Sequence, residues 1–512
     1  MTLLSLWLSA SLASASTLGD GRECLAVMDI PCAERVVVEL DAEHASSPDL
    51  LAFAANTAFH AARFVSAKDL IDRAVEAGWV DRFGDRELYA RTLEVQGDWK
   101  EVQRDGGRIA YRPGVDVILV DEADDVLKRS KTLIAERLLG GAPPGSTRLE
   151  IYPNGRSFVD CSSLTRDDVQ TTGVVALSKW SRLLLTSPRA LGRGYDWKST
   201  TAHEYIHLVV AHQTHDRAPV WFQEAVAKYL DNRWEDGADH FRLSVEAQGL
   251  LAKALRDDDL VSFEQMHPSL AKLPSAERAS LAYAQVATMM AFAFQQGGED
   301  VLLRVLPRIA AGDDAAVALA TEAHFQDFDA FQTAWRAWVS TLDLVQKQLA
   351  ALPTVLDGGE VVDADPVLAH RQDLARYLRL GDLLLEQGHP EAALVEYGKA
   401  TGPDAPLSPL LACRMAEAWL AQDEPIAARG LLRESLTDYP EFTLSHKTLA
   451  RVLIALGRDA EAYRSLQRAA DLNPYDPEVA QSLADLASKA GDSAAAARYQ
   501  KRLTLLRTGG DG

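Results

Sequence analysis

The C-terminal part of the chain repeats itself with a period of 34 or 35 residues. Turn-forming residues recur at Gly388, Asp423, Gly457 and Gly491. Small residues follow with the same steps at Ala393, Ala428, Ala462 and Ala496. A turn followed by a small residue is what a stack of helical hairpins needs, because the helices must reverse direction and then cross closely. The pattern therefore predicts four stacked hairpins, an α-solenoid, from about residue 372 to residue 503.

Pro440 and Pro474 are also 34 residues apart and would each close one hairpin. A helical hairpin of this length, with this turn, small residue and proline, resembles the tetratricopeptide (TPR) repeat. We place a TPR domain at residues 370–507, after an acidic, glycine-containing linker at 346–369. The resemblance implies a protein partner that docks on the repeats.

A second constraint comes from the segment His203-Glu204-Tyr205-Ile206-His207. Residues four apart lie on one face of a helix, so His203 and His207 can direct ring nitrogens at a single metal ion. Glu204 lies beside that face, where its carboxylate can polarise a metal-bound water. The apolar residues around the two histidines would bury this helix.

A second amphipathic helix is predicted at Val220–Leu230, after the polar turn at 213–219. Two helices joined by such a turn run antiparallel, so Glu224 can reach back towards the two histidines. His203, His207 and Glu224 would then bind the metal and leave a fourth position open for water.

A different metallopeptidase pattern needs a glycine three residues after the second histidine and a third histidine six residues after it. Those positions hold Val210 and Gln213 here. His212 and His215 are nearby but out of step, so we interpret them as surface or supporting residues rather than ligands.

These residues resemble the gluzincin zinc peptidases, and in particular the bacterial peptidase MA-like families that join such a domain to helical repeats. The matching motif is His203-Glu204-x-x-His207 followed by Pro219-x-Trp221-Phe222-x-Glu224-x-x-Ala227-x-Tyr229. The resemblance covers roughly residues 113–345. It implies that Zn²⁺ is bound by His203, His207 and Glu224 and that Glu204 is the general base. The family usually has glycine where this chain has Ala225, a small change that we expect to be tolerated.

The resemblance also implies that a tyrosine or histidine from the C-terminal half of the domain stabilises the oxyanion. Tyr283, in an apolar helical stretch, is our candidate. The alternative is a core tyrosine whose hydroxyl is hydrogen-bonded inside the protein.

The remaining patterns predict an α+β fold that is mostly α. Short β-branched or apolar runs at 115–120, 148–153, 174–178 and 183–186 are typical of strands, with a helical stretch at 123–139. A small sheet followed by the zinc helix is the order of a thermolysin-like, gluzincin domain, which we place at 113–345. In that family an edge strand usually binds the substrate backbone. The pattern does not say which strand is the edge. Residues 16–112 are predicted to form a helical, repeat-like N-terminal domain.

Composition limits the partners. The chain has 74 acidic and 53 basic residues and a net charge of −21, which argues against a nucleic-acid partner or an anionic membrane surface. No segment after the N-terminus has the 18 apolar residues of a membrane span.

The N-terminus predicts export. Residues 1–15 form a short apolar run ending in Ala13-Ser14-Ala15, as in a cleaved signal peptide. The run lacks a basic start, so an initiator further upstream, a weak signal or a buried helix are the alternatives. A signal peptide would make this an exported, periplasmic or secreted bacterial protein. There Cys24 and Cys32 could close a small disulfide loop. Cys161 and Cys413 are expected to be single buried thiols.

Two functions fit these patterns. The first is a zinc metallopeptidase that hydrolyses peptide bonds through a zinc-bound water activated by Glu204, with the TPR repeats docking a peptide or protein substrate or a partner. The alternative is a TPR interaction scaffold that carries a structural or inactive zinc site. Glu204 favours the enzyme, because a structural site has no need of that carboxylate. A third hypothesis is a peptidase that the repeats or the N-terminal helices hold inactive until a partner binds.

Overall fold

The computed structural model describes residues 17–44, 47–166, 169, 173–267, 269–270, 273–354, 356–357, 365–368, 371–401 and 407–509. The predicted signal peptide and parts of the predicted linker lie outside these residues. The chain divides into two compact units, residues 1–93 and 94–512. Within the described residues, no helix combines the length and apolarity that crossing a bilayer requires.

The first unit is helical, as predicted. Its first helix is capped by Thr17, whose side chain accepts a hydrogen bond from the backbone of Asp20. A disulfide between Cys24 and Cys32 joins the first two helices. The helices are Leu18–Ala26, Ile30–His44, Pro48–His60, Phe64–Glu76 and Asp85–Gln96, the last of which continues into the second unit.

A five-stranded mixed sheet starts the second unit. Its strands are β1 (Lys100–Gln103), β2 (Arg108–Tyr111), β3 (Arg148–Tyr152), β4 (Ala176–Lys179) and β5 (Arg182–Thr186). Their order is β1-β2-β3-β5-β4, so β1 and β4 are the edge strands. β2, β3 and β5 run parallel, and each edge strand pairs antiparallel with its neighbour. The sheet thus begins before residue 113, where the sequence predicted the peptidase domain to start.

The prediction of a strand at 115–120 was wrong. Residues Val115–Leu119 form a 3₁₀ helix that leads directly into the helix Val120–Arg129. The buried carboxylate of Asp116 holds this turn by accepting hydrogen bonds from Ser187 at 2.8 Å and from Tyr475 at 2.6 Å. A short apolar run is ambiguous between strand and helix, and long-range contacts decided it here.

The predicted helical stretch at 123–139 is present but interrupted. It consists of the helix Val120–Arg129, a π-helical segment Ser130–Ala135 and the short helix Glu136–Leu138. The other α-helices that the described residues form up to residue 345 are Gly155–Asp160, Trp197–Gln213, Val220–Leu230, Val245–Asp257, Phe263–Met266, Ala276–Gly297, Val301–Ala311, Ala315–Glu322 and Phe328–Val339. We call Trp197–Gln213 the His helix, Val220–Leu230 the Glu helix and residues 94–345 the sheet-containing region.

The described residues next form four helical hairpins, and we call residues 372–508 the repeat region. The helices are Gln372–Glu386, Pro390–Lys399, Pro409–Ala421, Pro425–Asp438, Thr443–Ala455, Asp459–Leu472, Pro477–Lys489 and Ser493–Thr508. All four predicted turn residues adopt the left-handed conformation, with φ between +59° and +81°. Only Asp423 does so with a side chain, which explains glycine at the other three positions. The four hairpins confirm the predicted repeats.

The repeat region packs against the loop that precedes the His helix. The backbone N–H of Tyr195 donates to the carbonyl of Leu472 at 3.0 Å. Next to it, Gly194 has φ +69°, and a Cβ atom built there would collide with the same carbonyl oxygen. Only glycine therefore fits between this loop and the sixth helix of the repeat region.

Charged contacts continue onto the first turn of the His helix. Asp196 caps the helix by accepting a hydrogen bond from the backbone of Ser199 at 3.2 Å. Arg468 of the repeat region donates to the second oxygen of Asp196 at 2.9 Å. Lys198 donates to Asp471 at 2.6 Å. The repeat region thus holds the start of the helix that carries both histidines.

Candidate metal centre

The His helix and the Glu helix bring three predicted side chains together. Nε2 of His203 lies 3.1 Å from Nε2 of His207, one helical turn later. Oε2 of Glu224 lies 3.4 Å from the first nitrogen and 3.6 Å from the second. Glu224 therefore reaches back to the histidines, as the antiparallel hairpin predicted. These residues are the one His, Cys, Asp or Glu cluster among the described residues that could hold a metal ion.

The spacing of the three atoms fits a small tetrahedral ion. Ligand atoms about 2.0 to 2.2 Å from a tetrahedral zinc lie about 3.3 to 3.6 Å from each other. The three observed distances fall within or just below that range. Two imidazoles and one carboxylate are also a donor set that zinc accepts, with one vertex left open.

The charges in the cluster stabilise one another. Burial disfavours the protonated form of His203, but Asp231 and Glu224 outweigh it and raise the pKa of this imidazole to about 9. Burial alone would raise the pKa of Glu224, whereas the two histidines lower it well below its ordinary value. Glu224 is therefore ionised at neutral pH, and a metal ion would have to displace the proton from His203.

Asp231 supports the cluster from behind, and the sequence analysis missed it. Its Oδ2 lies 3.6 Å from Nδ1 of His203, slightly beyond a normal hydrogen bond. Lys228 lies 3.8 Å from the same oxygen. A carboxylate behind a metal-binding histidine orients the ring and raises its basicity. Asp231 follows Glu224 by seven residues, two helical turns, and this spacing could have pointed to it.

Glu204 faces the same space and is half-buried. Burial raises its pKa, the imidazoles of His207 and His203 oppose this, and the charge of Glu224 adds to it. The backbone of Ser178, in the edge strand β4, hydrogen-bonds to this carboxyl group. A carboxylate with a raised pKa is a stronger general base at neutral pH.

Tyr283 also reaches this space, from the helix Ala276–Gly297. Its hydroxyl has no hydrogen-bond partner among the described residues, unlike that of a satisfied core tyrosine. Burial and the nearby charges of Glu224 and Glu204 raise its pKa well above the ordinary value. The hydroxyl therefore stays protonated and is available as a donor.

A cavity of about 800 Å³ opens in front of these residues. Residues 174–178, which include the start of β4, line one part of it, and this answers which edge strand lies at the site. Residues 241–244 line another part. Glu441, from the repeat region, also lines the cavity and was not foreseen from the sequence.

The other histidines and cysteines singled out in the sequence lie outside the cluster. His212 is half-buried and His215 is exposed with φ +52°, and neither belongs to the group of metal-binding atoms. Cys161 and Cys413 are buried single thiols, as predicted.

Comparison with known families supports this description. Residues 147–341 match the model of the Peptidase MA superfamily, and residues 420–486 match that of the tetratricopeptide repeat. The chain joins a Peptidase MA superfamily domain to TPR repeats. The peptidase MA domain holds His203, Glu204, His207, Glu224 and Tyr283, and the TPR match falls within the repeat region.

The solved structures that are similar to this chain include TPR proteins. The three described next each align with 26 to 28% of the chain. MamA from Desulfovibrio magneticus RS-1 is 18% identical and covers 28% of this chain and 80% of its own, with a TM-score of 0.25. A thermophilic TPR protein from Thermus thermophilus is 22% identical and covers 26% and 95%, with a TM-score of 0.18. PilF from Pseudomonas aeruginosa is 21% identical and covers 28% and 79%, with a TM-score of 0.19. No curated protein matches the chain.

Proposed function

We propose that this protein is a zinc-dependent peptidase whose catalytic centre is formed by His203, His207, Glu224 and Glu204. The observation that carries the proposal is the arrangement of the four residues. Three of them converge with the spacing of zinc ligands, and the fourth is a half-buried carboxylate beside them. A structural zinc site is closed by four protein ligands, whereas this one has three and faces a cavity.

Each residue has a distinct task in this proposal. Zinc would polarise the scissile carbonyl and lower the pKa of an attacking water. Glu204 takes the proton from that water and later delivers it to the leaving amine, a role suited to its raised pKa. The hydroxyl of Tyr283 donates a hydrogen bond to the carbonyl oxygen that becomes negatively charged. Asp231 keeps the ring of His203 oriented.

The substrate backbone would bind along β4. This strand is an edge, so one side of it has backbone groups that are not paired within the sheet. It lies next to the His helix and at the wall of the cavity. An extended peptide can add to such an edge through main-chain hydrogen bonds and place one bond in front of Glu204.

The repeats and the N-terminal unit complete the proposal. TPR repeats suggest a protein-interaction region, here for a substrate or a partner. We also propose that the protein is exported to the periplasm or secreted. The disulfide Cys24–Cys32 supports this, because such bonds persist in oxidising compartments.

Two variants test the assignment. The Glu204→Gln variant should retain about one zinc per chain by elemental analysis and lose at least about a hundredfold in cleavage of a quenched-fluorescent peptide library. The Glu224→Ala variant should lose zinc itself. A wild-type protein that binds one zinc per chain and cleaves neither casein nor any library peptide would replace the peptidase with a TPR scaffold carrying an inactive site.

A further inference from the structure

We propose that Glu441 of the repeat region selects a positively charged group of the substrate. This inference rests on the proposed peptidase function and deepens it. It makes the repeat region one wall of the catalytic cavity, where it contributes directly to substrate choice.

Glu441 lies in the connection between the helices Pro425–Asp438 and Thr443–Ala455, and its side chain lines the same cavity as the metal cluster. The connection is fixed at both ends to the sheet-containing region and the chain that follows it. The hydroxyl of Thr443 donates to the carbonyl of Arg193, and Lys347 forms an ion pair with Asp438. Glu441 is therefore presented to the cavity by an anchored backbone.

Three cations lie near Glu441, and each one is engaged by another group. Arg468 donates to Asp196 at 2.9 Å, and Lys228 lies 3.8 Å from Asp231. The third cation is Arg193, whose guanidinium donates to the backbone carbonyls of Pro353 at 3.3 Å and of Gly194 at 3.2 Å. Among the described residues, no hydrogen-bond donor or ion-pair partner contacts the carboxylate of Glu441.

The surroundings leave this carboxylate in need of a counterion. Burial and the charge of Asp196 raise the pKa of Glu441, and Arg193, Arg468 and Lys228 oppose that rise from a distance. A cation that contacts a carboxylate in such a place stabilises its charge strongly, because the attraction is screened less than at an open surface.

The rest of the cavity wall is consistent with a cationic substrate group. Apart from the metal cluster and the residues that support it, the acidic lining residues are Asp196, Glu246 and Glu441. Burial also raises the pKa of Glu246. The one other basic lining residue is Arg242, which is exposed and donates to the neighbouring carbonyl of Phe241. The group recognised is a lysine or arginine side chain, or the ammonium at the start of a peptide, since these share the same charge.

The test measures charge selectivity. Quenched-fluorescent peptides of about ten residues carry one lysine at successive positions, with glutamine or glutamate as the replacement, and each is made with a free and with an acetylated N-terminus. We expect lysine at one position, or the free N-terminus, to raise kcat/KM about tenfold over the neutral peptide, which corresponds to about 1.4 kcal/mol. Loss of the preference on acetylation identifies the ammonium as the group, and its persistence identifies the side chain.

Variants of Glu441 then assign the preference. Glu441→Gln should abolish the tenfold ratio, and Glu441→Lys should invert it in favour of glutamate. Glu434→Gln removes the same negative charge from an exposed position of the preceding helix and should keep the wild-type ratio. An equal ratio in wild type and Glu441→Gln overturns the inference while leaving the peptidase proposal intact.

Binding separates the two proposals if hydrolysis is not observed. In the Glu204→Gln background, fluorescence anisotropy measures the affinity for the lysine and glutamine peptides with and without Glu441→Gln. A lysine preference that disappears in the double variant supports the cationic subsite even when the peptidase proposal has failed. Equal affinities for the lysine and glutamine peptides, both with and without Glu441→Gln, refute the subsite.

Discussion

Two clusters of buried charge in the sheet-containing region differ in what surrounds them. In the first, Glu150 of β3 accepts hydrogen bonds from Arg148 at 2.8 Å, Arg182 at 2.7 Å, Tyr152 at 2.7 Å and Gln96 at 2.9 Å. Its side chain is completely buried. In the second, two histidines, Glu224 and Glu204 stand at the wall of a large cavity.

A buried carboxylate with a strongly shifted pKa does not by itself indicate a functional site. Burial would raise the pKa of Glu150, but the charges of Arg182 and Arg148 lower it to about 2. The two histidines lower the pKa of Glu224 in the same direction. The difference is that the acceptor positions of Glu150 are filled by protein donors, whereas the second cluster leaves one side open. An open side is what a catalytic site requires and what a purely structural charge cluster lacks.

Removing a ligand from the open cluster should have the largest effect. The His207→Ala variant is expected to lose bound zinc and at least about a thousandfold in peptide hydrolysis, because metal and base act together. Elemental analysis and the fluorescent peptide assay measure both. His215→Ala, an exposed histidine outside the cluster, is the control and should keep its zinc. Full zinc content in His207→Ala would mean that the metal binds elsewhere.

Neutralising the closed cluster should instead lower stability. Glu150→Gln removes the buried carboxylate that Arg148 and Arg182 share, and only Arg148 also pairs with Glu101 among the ion pairs described, so we expect a loss of about 3 to 5 kcal/mol in the free energy of unfolding. Denaturant titration measures it, with the exposed Glu94→Gln as control. Zinc content per folded chain should not change. A stability close to that of the wild type would show that the two arginines are compensated elsewhere.

The same variant carries a pH dependence of known sign. The folded pKa of Glu150 is about 2, below the ordinary 4.5, so its carboxylate stabilises the fold fully above about pH 4.5. That contribution is lost as the pH falls from 4.5 towards 2. The stability difference between wild type and Glu150→Gln should therefore shrink over this window and stay constant from pH 5 to 7. A difference that grows on acidification would contradict the assignment.

Replacing one tyrosine in each cluster should separate a loss of activity from a loss of stability. Tyr283→Phe should lower kcat about a hundredfold with little change in stability, since we propose that its hydroxyl donates a hydrogen bond to the developing oxyanion. Tyr152→Phe removes a buried hydrogen bond to Glu150 and should cost about 1 to 3 kcal/mol of stability without affecting kcat. Exchanged phenotypes would assign Tyr283 to the core.

Asp231→Asn should weaken zinc binding about ten- to a hundredfold, because His203 loses the carboxylate behind its ring. Competition with a fluorescent zinc chelator measures the affinity. Asp257→Asn, a surface change at the end of the helix Val245–Asp257, is the control. An unchanged affinity in Asp231→Asn would show that the distance of 3.6 Å does not close when the metal is bound.

The sequence predicted the parts of the molecule that local spacing determines. His203 and His207 are one turn apart and Glu224 lies on the next helix, so their convergence needed only the geometry of one hairpin. The repeats were predicted for the same reason, since each hairpin contacts mainly its neighbours. The helical N-terminal region and the strands β3, β4 and β5 also followed from local patterns.

The parts that were missed depend on contacts between distant segments. The run at 115–120 became a 3₁₀ helix because Asp116 is held by Ser187 and Tyr475. β1 and β2 are short strands in a stretch that the sequence analysis assigned to the helical N-terminal domain. The place of Glu441 at the cavity has no local signal at all, because it depends on how the repeat region packs against the sheet-containing region.

The glycine at position 194 limits how this architecture can vary. Since no side chain fits between its backbone and the carbonyl of Leu472, the repeats cannot be exchanged for an arbitrary solenoid as a free cassette. A chimera would have to reproduce the shape of the sixth repeat helix at its end. Recombination would therefore preserve this peptidase MA domain and its solenoid as a matched pair.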